Sequence, residues 1–147
     1  MSSDTGWGGL WVEYNDVAEA AFLGATPSKV TAWQAPMGVY HDTRVSDTGD
    51  GIVIQTPGEY VFLLSGLSFG GSNAKQYHGE IFIGSRHSLY GFRAKAGAAG
   101  NVESAGACGL INCNEGDEVA LYMWSSDGGT VLTVYEAQLL VYRLPSR

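Results

Sequence analysis

Apolar and polar residues in this chain follow short, turn-bounded runs of the kind that form β-strands. From about residue 28 onward these runs recur at short intervals, a pattern typical of a sandwich or a barrel. Their composition is rich in Val, Ile, Tyr and Phe, which favour strands. The predicted strands cover residues 29–33, 51–55, 59–69, 76–84, 87–94, 102–113, 117–124 and 130–144.

The segments between the runs have turn chemistry. TPG, GGSN, AGAAGN, NEGD and SSDGG separate successive runs, and the chain holds 21 glycines. Glycine accepts positive φ, proline fixes φ, and Asn or Asp bonds its own backbone. The best helix candidate, residues 16–22, is short and is followed by Gly24 and Pro27. Without helices to serve as parallel crossovers, the strands are expected to pair antiparallel.

Two predicted strands are apolar on both faces. A strand with one face in the core and one in water alternates apolar and polar residues, but residues 60–64 and 139–142 do not alternate. One face of each strand fills the core, and the other needs a separate cover, for which a second copy of the chain is the simplest candidate. The residues expected in the core or at a trimer interface are Tyr60, Phe62, Leu63, Leu64, Leu139, Leu140 and Tyr142.

Size and charge exclude several classes of function. The 147 residues fit a single domain. A net charge of −7 with no Lys/Arg cluster argues against a nucleic-acid partner and against acidic membranes. No apolar run reaches the ~20 residues of a membrane span. The first residues lack a basic start and an apolar stretch, so the chain is expected to be made in the cytoplasm.

Chemistry-bearing residues form no recognisable site. The histidines, His41, His78 and His87, are far apart in sequence, and no nucleophile elbow or phosphate-binding loop is present. Asp42, Asp47 and Asp50 could wrap a calcium ion, but their spacing fits turns in a connecting loop better. The chain is therefore predicted to be no enzyme and to use no cofactor or metal.

The two cysteines, Cys108 and Cys113, have an odd separation. On one extended strand this puts them on opposite faces, so they should not pair with each other. We expect two small buried thiols.

Aromatic residues suggest two candidate contact surfaces. Trp7, Trp11 and Tyr14 precede the regular strand pattern and have glycines among them. They fit either the first strand of the sandwich or an arm that docks into a partner, since Trp and Tyr dominate binding hot spots. Tyr122 and Trp124 alternate with Val119, Leu121 and Met123, so one of these two sets should face outward. Residues 1–27 are thus an arm or first strand, and residues 28–147 are the main domain.

Three blocks carry a family resemblance. GIVIQTPGEYVFLLSGLSF resembles a Pro-Gly turn and G-x-Y-x-F strand of the globular head of complement subcomponent q. ESAGACGLINCNEGDEVALYMW resembles the same family's strand, GD turn and strand, and YEAQLLVYRL resembles its closing strand. Glu136-Ala137 replaces the aromatic-Ser/Gly pair usual there. The order of the blocks is similar to that of the wider complement-head and tumour-necrosis-factor-like superfamily over residues 28–144.

This resemblance implies an all-β, antiparallel jelly-roll sandwich that forms homotrimers. It also implies that the G-x-Y-x-F strand, residues 102–113 and the closing strand belong to the sheet facing the threefold axis. The chain lacks a collagen repeat, and jelly rolls of this type occur in bacteriophages as decoration proteins and fibre tips. The function expected is a virion structural protein, a trimeric decoration protein on a capsid surface that binds the major capsid protein or another virion component. The alternative is a receptor- or carbohydrate-binding head.

Overall fold

A computed structural model describes residues 7–12, 19–23, 26–31, 33, 36–39, 42–71, 76–95, 102–125 and 130–145. All the secondary structure in these residues is β-strand. The strands are β1 (Trp7–Val12), β2 (Glu19–Leu23), β3 (Ser28–Lys29), β4 (Pro36–Val39), β5 (Thr43–Val45), β6 (Ile52–Ile54), β7 (Gly58–Gly71), β8 (Gln76–Ile83), β9 (Arg86–Lys95), β10 (Val102–Cys113), β11 (Glu118–Ser125) and β12 (Thr130–Arg143).

The strands form two antiparallel sheets. The first sheet has the order β10-β7-β12-β1-β4, and β2 also pairs with β12. The second sheet has the order β5-β6-β11-β8-β9, and β3 also pairs with β11. Neighbours in the first sheet are mostly distant in sequence, as in a jelly roll rather than a simple meander. The all-β, antiparallel fold class predicted from the sequence is confirmed.

The strand predictions differ from the structure at the N-terminal side. Each of the eight predicted runs contains a strand, but the run at 29–33 contributes only its start to β3. The helix considered at 16–22 is wrong where the structure describes it, because Glu19–Leu23 is β2 and pairs with residues 130–134 of β12. An isolated helix of so few residues cannot offset its nucleation cost, whereas the long β12 offers open hydrogen-bonding groups.

The core lies between the facing sides of the two sheets. Tyr60, Phe62 and Leu64 of β7 point inward, and so do Leu139 and Val141 of β12. From the second sheet they meet side chains of β8 and β11 that are also fully buried, namely Tyr77, Ile81, Val119, Leu121 and Met123. Period-two alternation accounts for this division, because every second residue of a strand points to the same face.

The buried Tyr60 hydroxyl joins the core to a loop. It donates to the Thr56 carbonyl oxygen at 2.6 Å and lies 3.2 Å from the Asp42 carbonyl oxygen. Burial, and then the nearby Asp42, raise the pKa of Tyr60 to about 12. The hydroxyl therefore stays protonated and can keep donating throughout the physiological range.

One edge of the sandwich is closed by an aromatic side chain. Tyr90 of β9 meets Phe62 edge-on, with ring centroids 5.5 Å apart. A Cβ at Gly109 of β10 would lie 2.6 Å from the Tyr90 ring. Glycine at position 109 therefore lets the ring lie directly against β10 and bridge the two sheets.

We expect Leu121→Ala to lower the free energy of unfolding by about 2–5 kcal/mol, because it leaves a cavity beneath the second sheet. Arg44→Ala, at an exposed side chain, should stay within about 0.5 kcal/mol of the parent protein. Urea denaturation of all three proteins at one concentration measures both effects. Equal stability of the two variants would contradict this assignment of the core.

Candidate binding surfaces

The outer side of the first sheet carries an apolar patch built from three neighbouring strands. Leu63 of β7 lies opposite Cys108 of β10 and Leu140 of β12, which makes one row across the sheet. The next row consists of Val61 with Leu110 and Tyr142 as its partners. We call these six residues the apolar face: Val61, Leu63, Cys108, Leu110, Leu140 and Tyr142.

Three large side chains of the apolar face are exposed to solvent. Leu63, Leu110 and Tyr142 are 38%, 49% and 40% exposed. Within the part of the chain that the structure describes, Tyr90 is the one other large apolar residue of comparable exposure. Three such residues in two adjacent rows form a patch, and contiguous patches mark interaction sites more often than scattered apolar residues do.

Polar residues flank the apolar face at both ends of the strands. Beyond the Val61 row, Glu59 lies opposite Asn112. Beyond the Leu63 row, the Ser65 hydroxyl donates to Oε1 of Gln138 at 3.2 Å. An apolar centre with a polar rim is the usual anatomy of a protein–protein interface.

The seven residues predicted for the core or the trimer interface divide between the two sides of the sheet. Tyr60, Phe62, Leu64 and Leu139 are in the core, whereas Leu63 and Tyr142 are exposed and Leu140 is half-buried on the apolar face. Sequence reasoning missed Val61, Cys108 and Leu110 as members of the apolar face. The sequence does show that apolar and polar residues fail to alternate over residues 107–111. Which residues of β7 lie opposite them follows only from the strand register.

The predicted N-terminal candidates lie in or beside the first sheet. Trp7 and Trp11 are in β1, whose backbone pairs with Tyr142 and Gln138 of β12 and, on its other side, with β4. Tyr14 lies outside the described residues. Release of β1 as a free arm would leave the backbone groups of two neighbouring strands without partners.

The outer side of the second sheet carries two stacked ring pairs. Tyr122 of β11 stacks on Phe82 of β8 with centroids 4.2 Å apart. Trp124 stacks on His78 with centroids 5.4 Å apart and planes only 7° from parallel. Tyr122 and Trp124 thus form the outward set, while the residues alternating with them are buried. The pairing with Phe82 and His78 joins residues far apart in sequence.

Next to Trp124 lies a shallow groove of about 370 Å³. Trp124, His78, Glu80 and Arg93 line it, and Gly91 lies opposite Glu80. A Cβ at Gly91 would meet the Gly79 carbonyl oxygen at 2.2 Å, so the close backbone approach excludes a side chain there. Gly91 therefore lets β9 lie close against β8 where the two strands border the groove.

Electrostatics keep the groove close to neutral. Burial, and then the positive charge of Arg93, lower the pKa of His78 below its ordinary 6.5. At neutral pH the imidazole is therefore uncharged, and the charges lining the groove are one carboxylate, Glu80, and one guanidinium, Arg93.

A salt bridge secures the strand beside Tyr122. Lys29 Nζ of β3 lies 2.5 Å from Glu118 Oε1 of β11. Burial by itself would lower the pKa of Lys29. The hydrogen bond to Glu118 and the negative charge of Glu118 together outweigh that effect, so the pKa lies above its ordinary value of 10.5. A Cβ at Gly51 would lie 2.5 Å from the Glu118 side chain, which explains the glycine there.

The described residues of the loop with Asp42, Asp47 and Asp50 form no metal site with a histidine. Asp42 and Asp50 are buried, whereas Asp47 is exposed and 3.5 Å from Arg44 Nη1. Thr48 donates to Asp50 Oδ1, and Ser46 Oγ accepts from backbone N–H groups of the loop, so this segment is built as turns. Among the described residues, no group of three His, Cys, Asp or Glu side chains could hold a metal ion. His41 lies outside those residues, and only the backbone of His87 is described.

The two cysteines are on opposite faces of β10, as their odd separation predicts. Both are free, and Cys113 is buried. The expectation that both thiols are buried is wrong for Cys108, which is exposed. Among the residues that the structure describes, no third layer covers this face of β10.

We expect Cys113 to resist alkylation by iodoacetamide at pH 8 in the native protein and to react once the chain is unfolded. Burial, and then Asp117, raise the pKa of Cys113 to about 12 from the usual 9.0. Because only the thiolate reacts, the low thiolate fraction adds to the lack of access. Mass spectrometry of tryptic peptides before and after denaturation measures this. Rapid native labelling of Cys113 would contradict its burial.

No helix in the described residues is long and apolar enough to cross a membrane. The sequence matches no protein-family model and no curated protein. Similarity is found instead among solved structures.

The globular domain of zebrafish complement 1qA protein aligns with a TM-score of 0.62 at 8% identity, covering 97% of this chain and 99% of that one. Murine APRIL at pH 5.0 aligns with a TM-score of 0.61 at 14% identity, covering 96% and 100%. Murine APRIL at pH 8.5 aligns with a TM-score of 0.60 at 14% identity, covering 94% and 99%. These alignments span nearly the whole of each chain. The protein therefore has the jelly-roll fold shared by tumour-necrosis-factor-like proteins and complement heads.

Proposed function

We propose that the chain is a homotrimeric structural protein that assembles through the apolar face. The observation that carries this proposal is the exposure of Leu63, Leu110 and Tyr142 in two adjacent rows of one sheet. Burying the exposed half of Leu110 alone would contribute about 1 kcal/mol. Homotrimers are typical of this fold, and a cyclic trimer would bring three identical faces together at one axis.

The composition of the apolar face suits an interface between copies. Both rows are free of charged residues, so no charge would have to leave water when the faces meet. Gly106 of β10 is exposed two residues from Cys108, and so small a residue favours close approach of neighbouring copies. The polar Ser65–Gln138 and Glu59–Asn112 pairs would stay at the rim.

Light scattering of the purified chain should give three times the 15.6 kDa chain mass. Leu110→Asp should yield a folded monomer, because it places a carboxylate in the centre of the interface. Asn112→Asp adds the same charge to the same strand and the same face, but at the rim, and should remain trimeric. A parent protein that stays monomeric at micromolar concentration would overturn the proposal, and so would a trimeric Leu110→Asp variant.

The rate at which the Cys108 thiol is alkylated tests the same interface independently. In the trimer its thiol would be covered, so iodoacetamide should label it slowly. In the Leu110→Asp monomer it should react at the rate of an exposed thiol. Equal labelling rates in the two proteins would place the interface elsewhere.

We propose that the trimer acts on the surface of a bacteriophage-type capsid. There it would be a decoration protein bound to the major capsid protein or another virion component. Such a role needs contact surfaces rather than turnover. The ring pairs of the second sheet, which trimerisation would leave open, support it, and so does the low share of charged residues, 16%. Three identical attachments per trimer would allow retention by avidity even if each contact is weak.

Particles assembled without the chain and then incubated with the purified trimer should gain one density of trimer size at threefold or quasi-threefold positions, as seen by electron cryo-microscopy. The Leu110→Asp monomer should occupy these positions much less, because it has one attachment instead of three. Particles that take up neither protein would overturn the capsid role and leave the trimer proposal standing.

The groove on the second sheet favours a second candidate function, a receptor- or carbohydrate-binding head. It lies on the opposite side of the sandwich from the apolar face, so trimerisation would leave it open. A trimer would then present three grooves outward at once.

A further inference from the structure

We infer that the groove beside Trp124 binds a neutral sugar, a hexopyranose unit of a glycan. This deepens the second candidate function, a binding head, and rests on it. The structural basis is an aromatic wall, a carboxylate and a guanidinium around one open groove.

The size of the groove fits a small polar ligand. Its volume of about 370 Å³ lies in the lower part of the ~300–1,000 Å³ range of small-molecule sites. It is shallow and open to solvent, which suits one sugar unit of a longer chain whose remainder extends into water.

The aromatic wall matches the apolar side of a pyranose ring. Trp124 and His78 are held parallel by their stacking, with planes 7° apart, so the orientation of the indole is set before a ligand arrives. A pyranose presents axial C–H groups on one face, and these pack on the electron-rich face of an aromatic ring. Preorganisation of this kind lowers the entropy lost on binding.

The polar groups match the hydroxyl edge of a pyranose. Adjacent hydroxyls offer a donor and an acceptor side by side. The Glu80 carboxylate provides only acceptors, on two oxygens, and the Arg93 guanidinium provides five N–H donors in one plane. Both groups line the same groove, so one sugar unit could contact the two together.

The charge of the groove favours a neutral ligand over an anionic one. One carboxylate offsets the guanidinium, and His78 is uncharged at neutral pH because its pKa is lowered. The protein as a whole carries a net charge of −7, which repels acidic glycans at long range. A phosphate or sulfate would find Arg93 as its one cationic partner in the groove.

The test is ligand-observed saturation-transfer NMR on the purified full chain with lactose, cellobiose and maltose as neutral probes. The anionic probe is 3′-sialyllactose, which adds one acidic sugar to lactose. We expect at least one neutral probe to bind with a millimolar Kd. Trp124→Ala should remove the signal, and Arg93→Gln should raise Kd about tenfold, which is the loss expected for a charge-assisted hydrogen bond.

Matched controls separate the groove from the rest of the surface. Arg86→Gln changes an exposed arginine on the same strand that does not line the groove, so it should bind like the parent. Trp124→Tyr keeps an aromatic ring and should retain part of the affinity. Arg93 is exposed, so Arg93→Gln should fold even if Trp124→Ala does not.

The outcomes distinguish this inference from the functions on which it builds. Binding of a neutral probe that Arg93→Gln weakens and Arg86→Gln does not would support it. If no neutral probe binds to a folded protein, or if the groove variants bind like the parent, the inference is overturned. Binding of 3′-sialyllactose alone would overturn the neutral class while leaving a binding head. Light scattering of the same samples reports separately on the trimer.

Discussion

The pairing of β7 with β12 is the interaction on which the rest of the structure depends. These two strands are the longest of those described, and they pair from Tyr60–Arg143 to Gly71–Leu132 across the middle of the first sheet. Their inward residues supply much of the core, and their outward residues supply most of the apolar face. Both sets are fixed by one register, since a slip of one residue would exchange them. The core and the proposed interface are therefore two results of the same alignment.

The two sheets differ in what their outer sides can do. The first sheet presents uncharged apolar residues in two adjacent rows, which suits contact with an identical surface. The second presents stacked rings with a carboxylate and a guanidinium beside them, which suits a polar ligand. Because the core separates the two sides, assembly and recognition could proceed without competing for the same residues. A jelly roll used in this way would combine a scaffold at the axis with recognition at the periphery.

Glycine shapes both surfaces by letting neighbouring groups approach closely. Gly109 allows Tyr90 to lie against β10 and close the sandwich edge beside the apolar face. Gly91 allows β9 to approach the Gly79 carbonyl beside the groove. Neither Gly91 nor Gly109 has a positive φ. Their role is steric, and it depends on which residues lie across from them in space.

The sequence by itself determined the strand content, the antiparallel fold class and the presence of strands with two apolar faces, because alternation and turn chemistry are local properties of the chain. The resemblance also pointed to the fold that the solved structures share. What only the tertiary structure decided was the grouping of residues from different strands. Leu63 meets Leu110 and Tyr142 through register, and His78 meets Trp124 across β8 and β11, pairings that no local pattern encodes. The same reason explains why residues 19–23 became a strand: their conformation was set by the open edge of β12 and not by their own weak helical preference.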